Sequence, residues 1–255
     1  MRSLGKIVSV SLAICVAGCN TTESVQFNVL GNQSAIVRDG VPGIVSRKSR
    51  SIVLVSPAGR GMRSGGRPVF VVAATNLSRS PIDLRISDIT VSQQTPNGAS
   101  IPIAVIPYEQ LVSEERTRQV VRAILVGAAA GANSYSASRA GYGSASGTVY
   151  TPNGAATFNT TYYSPTAAAI AQSNSNAQNE AMIANTIEAG QRNLAGLQNI
   201  VLKDNTIMPG EWIGGEVYIA PPAGEIGQPK SYTISINLGG EIHSVEVTQG
   251  QIKNR

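Results

Sequence analysis

The sequence predicts a mainly β protein, an antiparallel β-sandwich interrupted by an Ala-rich α-helical hairpin. Short apolar runs of period two recur across residues 46–107 and again across residues 204–250, each closed by Pro, Gly, Asn or Ser. Between these halves, residues 108–203 change period, and apolar residues recur at spacings of three and four. With 255 residues, 42% of them hydrophobic, the chain is long enough to close a core without crosslinks.

The first sandwich half opens with Ile52-Val53-Leu54-Val55, which ends at Pro57. A Gly/Arg loop holding Arg60, Arg63 and Arg67 leads to a buried run at residues 69–73, stopped by Asn76-Leu77-Ser78-Arg79-Ser80-Pro81. Ile82, Leu84 and Ile86 then alternate with polar neighbours, and Ile101, Ile103 and Val105 do so again after a turn at Pro96-Asn97-Gly98. In the second half, Pro209-Gly210 introduces an apolar run over residues 212–219 that Pro221-Pro222 ends. Residues 233–238 alternate into Gly239-Gly240, a two-residue turn of the primed kind, and residues 241–248 run back. A buried strand, then Asn-x-Ser-x-x-Pro, then Pro-Gly-Glu-x-x-x-Gly-x-Val-x-Ile is similar to the immunoglobulin-like modules of bacterial exported proteins. That resemblance implies an Ig-like sandwich in which the Pro-Gly turn shapes an inter-strand corner. The chain departs from the pattern by its long insertion between the two motifs.

The N-terminus carries Arg2 and Lys6, an apolar run at residues 7–17, and Val16-Ala17-Gly18-Cys19. Charge, apolar run and small residues are the parts of a secretory signal. As a helix the eleven-residue run reaches about 16 Å, against a hydrocarbon core of roughly 30 Å, so it does not span. The four residues ending at Cys19 resemble a bacterial lipobox. This implies a signal peptide over residues 1–18, loss of Cys15 with it, and lipidation of Cys19, so that the membrane is a partner through the N-terminal lipid. Asn20 follows Cys19, which by analogy with lipoprotein sorting implies the outer membrane, periplasmic or surface-facing, in a two-membrane source and the cell membrane in a single-membrane one. Residues 19–45 are polar and small, with Gly31, Gly40 and Gly43, and read as a tether with one short strand over residues 25–29. A coil of that length would hold the domain about 25–30 Å from the bilayer.

The insertion opens at Tyr108, with Glu114 and Arg118 as an exposed i,i+4 pair. Val121, Leu125, Ala128, Ala132 and Tyr135 mark one helical seam, and Ile183, Ile187, Gly190, Leu194, Leu197 and Val201 mark another in a helix over residues 165–201. Gly127 and Gly131 make a small-residue pair like the glycine zippers of some outer-membrane lipoproteins, but the uncharged run of residues 123–132 is too short to cross a bilayer as a helix, so the favoured reading is close packing within the helical hairpin. Residues 133–164 form a Tyr/Gly/Ser-rich tip with Tyr135, Tyr142, Tyr150, Tyr162 and Tyr163, and residues 148–163 can fold back as a polar β-hairpin around Pro152-Asn153-Gly154. The five tyrosines are the candidate partner-binding residues, since Tyr, Ser, Gly and Asn make adaptable contact surfaces. A loop with no partner is the other reading of the tip.

Charge and composition point away from catalysis. The single histidine, His243, falls in an alternating run with Val245 and Val247 on one face, a half-buried strand residue. No metal-ligand spacing, nucleophile elbow or phosphate-cradling loop is present, so neither a metal nor a cofactor is expected and no catalytic residue is assigned. Net charge is +5, and nine basic residues between Arg38 and Arg85 face only Asp39 and Asp83. Arg60, Arg63 and Arg67 are the candidate contacts to an anionic surface, and a solvated loop is the alternative. Nucleic-acid binding does not fit so mild a charge in an exported chain. The expected function is a non-enzymatic, outer-membrane-anchored lipoprotein that binds or scaffolds an envelope protein or polymer. The alternative is an envelope lipoprotein that self-associates as a homo-oligomer, or perturbs membranes, through the Gly127/Gly131 helix.

Overall fold

Among the described residues of the structure, a computed structural model, ten strands precede the first α-helix: β1 (Thr22–Asn28), β2 (Gln33–Arg38), β3 (Val41–Arg47), β4 (Ser51–Pro57), β5 (Met62–Arg63), β6 (Val69–Asn76), β7 (Ile82–Leu84), β8 (Ile89–Gln94), β9 (Ser100–Ile103) and β10 (Val105–Ile106). Helix α1 (Tyr108–Arg139), strands β11 (Tyr142–Thr151) and β12 (Gly154–Tyr163), and helix α2 (Pro165–Ile200) form the insertion. Strands β13 (Asn205–Ile207), β14 (Trp212–Ile219), β15 (Lys230–Leu238) and β16 (Glu241–Gly250) complete the chain. The described residues are 22–95, 98–152 and 154–251, so the signal-like segment, Cys15, Cys19 and Asn20, together with Pro96, Asn97 and Asn153 of the two expected turns, lie outside them.

The protein is mainly β, as the alternation predicted. Six strands in the order β5-β1-β16-β15-β8-β9 make one sheet and six in the order β10-β14-β6-β4-β3-β2 make the other. All pairings within them are antiparallel. Inward residues of both sheets form one core, with Val53, Val55, Phe70 and Val72 from one side and Tyr232, Ile234, Ile236 and Val247 from the other. Phe70 meets Tyr232 edge-on at 6.2 Å between centroids. The β15–β16 hairpin closes through Gly239 and Gly240 at φ of 59° and 84°, the left-handed pair that a primed two-residue turn requires.

The expected tether is corrected. Residues 22–47 build three strands of the sandwich, β1 against β16 and β5, and β2 and β3 on the edge of the second sheet. The alternation in β1 was masked because one of its inward residues, Glu23, is charged and its neighbours are small and polar. The β2–β3 hairpin turns on Asp39-Gly40, with φ of 53° and 77°, an Asp-Gly signal of the same primed kind as Gly239-Gly240.

The insertion is an arm. Helix α1 has 32 residues and α2 has 36, so each runs about 50 Å. Ser164 caps α2 by accepting a hydrogen bond from the Ala167 amide, with Pro165 in the first turn. At the root, Leu111 and Val201 pack on Ile106 with Tyr108, Leu197 and Tyr218 around them. Arg67 holds the first turns of α1 through Glu114, at 2.5 and 3.0 Å. The tip differs from the expected span: residues 133–139 continue α1, and the hairpin is longer than residues 148–163, pairing Tyr142 with Tyr163 through Thr151 with Gly154.

Candidate interaction surface

The two helices do not meet along the expected seam. Across their contact, Gln119 Nε2 donates to the Gly190 carbonyl at 3.0 Å and Asn193 Nδ2 to Glu115 Oε1 at 3.0 Å. Nearer the tip, Asn179 bonds Asn133 at 3.1 Å, Ser134 at 3.2 Å and the Ala130 carbonyl at 3.3 Å. The facing residues of α1 are thus Leu111, Glu115 and Gln119 towards the root and Ala130, Asn133 and Ala137 towards the tip, spaced by threes and fours within each group and one face round from the apolar stripe. Gly190 and Ala137, both small, let the backbones approach, and a Cβ on Gly190 would stand 2.8 Å from Gln119.

The apolar stripe faces outward. Val120, Val121, Ile124 and Leu125 are exposed, the last two by 66% and 64%, as are Ile183 and Ile187 on α2. Of the predicted seam, only the root end, Gly190, Leu194, Leu197 and Val201, is covered. Gly127 and Gly131 face open space, with nothing within 4 Å of a built Cβ, so they do not pack the hairpin as expected. Within residues 123–179 the one charge is Arg139, in a chain with 14% charged residues. A water-facing helix pair normally carries ions on its outer faces.

The five candidate tyrosines come together only in part. Tyr142 and Tyr163 pair at the hairpin base, with ring centroids 4.9 Å apart, and Tyr162 covers Gly143 on the opposite face. Tyr135 lies one turn before the end of α1, where Arg139 stacks over it at 5.6 Å and donates to its hydroxyl at 3.0 Å. Tyr150 stands apart towards the turn, 83% exposed.

The basic candidates also separate. Arg67 is committed to Glu114, which raises its pKa and lowers that of Glu114. Arg63 pairs in register with Thr22, and Gly61 lies against the Thr22 side chain, so the loop with Arg60 and Arg63 flanks the point where the described chain begins. Arg60 Nε also reaches the Asp39 carbonyl at 3.3 Å.

His243 is fully buried rather than half-buried. Its Nδ1 lies 2.9 Å from Ser46 Oγ and its Nε2 2.8 Å from Ser51 Oγ. Ser51 donates to Glu241 at 2.5 Å, which Ser49 and the Arg50 amide also bond. Serine, histidine and glutamate therefore meet, but in a line with the hydroxyl in the middle and the imidazole sealed from solvent. Catalytic triads need the imidazole in the middle and the hydroxyl exposed. Burial lowers the His243 pKa, helped by Lys48 and partly opposed by Glu241 and Ser46. An imidazole depressed below its free value of about 6.5 leaves stability intact above that pH and drains it as pH falls towards the folded value. The urea midpoint should therefore drop from pH 7 to pH 5.5, before the carboxylates titrate. In His243→Gln, which can still bond both serines, that slope should vanish; an unchanged slope would assign it elsewhere.

A cleft of about 910 Å³ lies under the arm root, between Ile89, Pro102 and Leu202. The Lys203 ammonium sits over the Tyr108 ring at 4.4 Å on its rim, and Asp204 is occupied by the Ile86 amide. Among the described residues, no three His, Cys, Asp or Glu side chains are grouped to hold a metal ion, and no helix is long and apolar enough to cross a membrane. No family model, curated protein or solved structure matches the chain.

Sequence reasoning missed the polar contact between the helices because apolar residues were taken to mark the inner face. The signal available was a polar stripe on each helix: Glu115 and Gln119 are four apart with Asn133 fourteen further on, and Asn179 and Asn193 are fourteen apart, about four turns and so nearly the same face.

Proposed function

We propose that the chain is a non-enzymatic lipoprotein of the cell envelope, anchored at Cys19, that assembles with further copies through the outer faces of its helical arm. The observation that carries this reading is the exposed stripe Val120, Val121, Ile124 and Leu125 on an arm whose helices hold each other through Glu115, Gln119, Gly190 and Asn193. Contiguous exposed apolar surface on a soluble element marks an interaction site. A second copy is the favoured occupant because an apolar stripe on each helix, with one charge between residues 123 and 179, lets identical arms pack side by side without burying ions. Cys19 precedes Thr22 by three residues, so an acylated chain would keep β1 within about 11 Å of the lipid. Arg60 and Arg63 then lie where an anionic leaflet attracts cations by roughly 1 kcal/mol each.

Replacing Ile124 and Leu125 together by Asp should weaken association about a hundredfold or more, the free energy of two buried aliphatic side chains. Light scattering in mild detergent should show the mass fall to one copy while the sandwich melts unchanged. A wild-type chain that is already a single copy at micromolar concentration would overturn the assembly. In the same sample the N-terminal peptide should have the mass of acylated Cys19; an unmodified cut elsewhere would overturn the anchor.

A further inference from the structure

Among the described residues no other strand joins the β11–β12 hairpin, and its two faces differ. The register places Gly143 with Tyr162, Ala145 with Thr160, Gly147 with Phe158 and Val149 with Ala156 on one side. On the other side stand Ser144 with Thr161, Ser146 with Asn159 and Thr148 with Thr157, between Tyr142–Tyr163 at the base and Tyr150–Ala155 near the turn. Over residues 143–149 and 156–162, one face is thus apolar but for Thr160 and the Tyr162 hydroxyl, and the other is lined by hydroxyls and an amide. Phe158 and Tyr162 lie over Gly147 and Gly143, so the apolar face is continuous. No residue of either strand is charged.

Each strand has ten residues, about 33 Å. Tilted by 35–45°, that is roughly 23–27 Å of height, the thickness of the apolar band of an outer-membrane-type barrel. At the base, Tyr162 and the Arg139–Tyr135 stack supply the aromatic and cationic groups that settle at a headgroup layer. Among the described residues no further strand pairs with either outer edge of the hairpin, and neither strand has a Lys or an inward charge to guard it. In water such an isolated hairpin is marginal, and in hydrocarbon its open edges would each leave a row of unsatisfied amides and carbonyls.

One arrangement satisfies the length, the alternation, the missing charge and the open edges together. We infer that the hairpin is a transmembrane stave, and that several copies of this chain pair β11 of one with β12 of the next to close a β-barrel with a hydroxyl-lined lumen. Two strands per copy and a smallest known barrel of eight strands set at least four copies. The inference rests on the assembly proposed above and adds to it a membrane-spanning, water-filled pore for small ions.

Adjacent residues of β12 separate the two faces and give the test. The full-length chain is reconstituted into phosphatidylethanolamine/phosphatidylglycerol vesicles, with conductance and cross-linked ladders read on the same samples. Wild type should give discrete conductance steps and a ladder of four or more copies. Phe158→Lys, a charge on the lipid face near mid-strand, should cut conducting events per protein at least about thirtyfold. Asn159→Lys, one residue along on the lumen face, should keep the conductance and turn it anion-selective. A ladder without conductance in wild type would overturn the pore and leave the scaffold standing, and a single copy would overturn both. Equal losses in the two lysine variants, or none in either, would overturn the assignment of faces and with it the barrel.

Discussion

Glu23→Ala is expected to cost about 3–5 kcal/mol of folding stability, the largest effect of any single polar substitution in the sandwich. Glu23 is fully buried in β1, three residues before Gln26 and opposite the end of β16. Its Oε2 accepts from Gln249 Nε2 at 2.7 Å, and its Oε1 accepts from the Gly227 amide at 3.1 Å and faces Lys230 Nζ at 3.7 Å. Gln249 in turn accepts from the Tyr232 hydroxyl at 2.8 Å, in a setting where burial and then the Glu23 charge raise the tyrosine pKa far above its usual value. Truncation leaves Lys230, 5% exposed, as an uncompensated buried cation, together with an orphaned amide at Gly227 and a half-satisfied Gln249. Removing both charges is a different experiment. Glu23→Leu with Lys230→Met should recover most of the loss, because desolvating the pair offsets much of its attraction. Urea denaturation at pH 7 measures all three chains. A cost below about 1 kcal/mol for the single substitution would mean that water reaches the pair.

The same residue explains what could be read from the sequence. Strands whose inward positions are apolar over most of their length, such as β4, β6, β14 and β15, were legible in position and nearly in length. Strand β1 was legible only over its second half, as the short strand at residues 25–29, because the inward position before Val25 and Phe27 is Glu23 and period two is scored on hydrophobicity. The arm shows the complementary failure. Helices at 108 and 165 were legible from spacing, but spacing alone does not say which of two faces turns inward. An apolar stripe beside a polar one, both at three and four, is decided by what covers the first, and a single chain's sequence does not contain that cover. For the same reason the spacing of Gly127 and Gly131 points to packing within the hairpin, whereas both face open space. The turn signals transferred best: Gly239-Gly240 set its hairpin, and Asp39-Gly40 would have set another had its flanks not been read as tether.

Asn76→Ala should cost about 3 kcal/mol, since it strands several buried groups at once. Asn76 ends β6 with no exposed surface. Its Nδ2 donates to the Ser80 carbonyl at 2.7 Å and to the Ile207 carbonyl at 2.9 Å, while Oδ1 accepts from the Ser78 amide at 2.8 Å and the Ser78 hydroxyl at 2.7 Å. One side chain thus folds the Asn-x-Ser-x-x-Pro turn onto itself and ties it to β13, across the whole insertion. The main chain completes the corner: the Gly210 amide donates to the Asn76 carbonyl at 2.8 Å, with Gly210 at φ 79°. The two motifs that resembled an exported sandwich module are therefore one feature, a joint that closes the sandwich at the Thr75–Trp212 end of β6 and β14, the far end from the Val69–Tyr218 pair beside the arm root. Asp keeps the acceptor and loses the donor, so Asn76→Asp should cost nearly as much, with the Ile207 and Ser80 carbonyls now facing a carboxylate. Hydrogen exchange locates the damage. The amides of Ser78 and Gly210 should lose protection in both variants while β15 and β16 stay protected. Uniform loss of protection across the sandwich would show instead that the corner unfolds only with the whole domain, and the joint would then carry global rather than local stability.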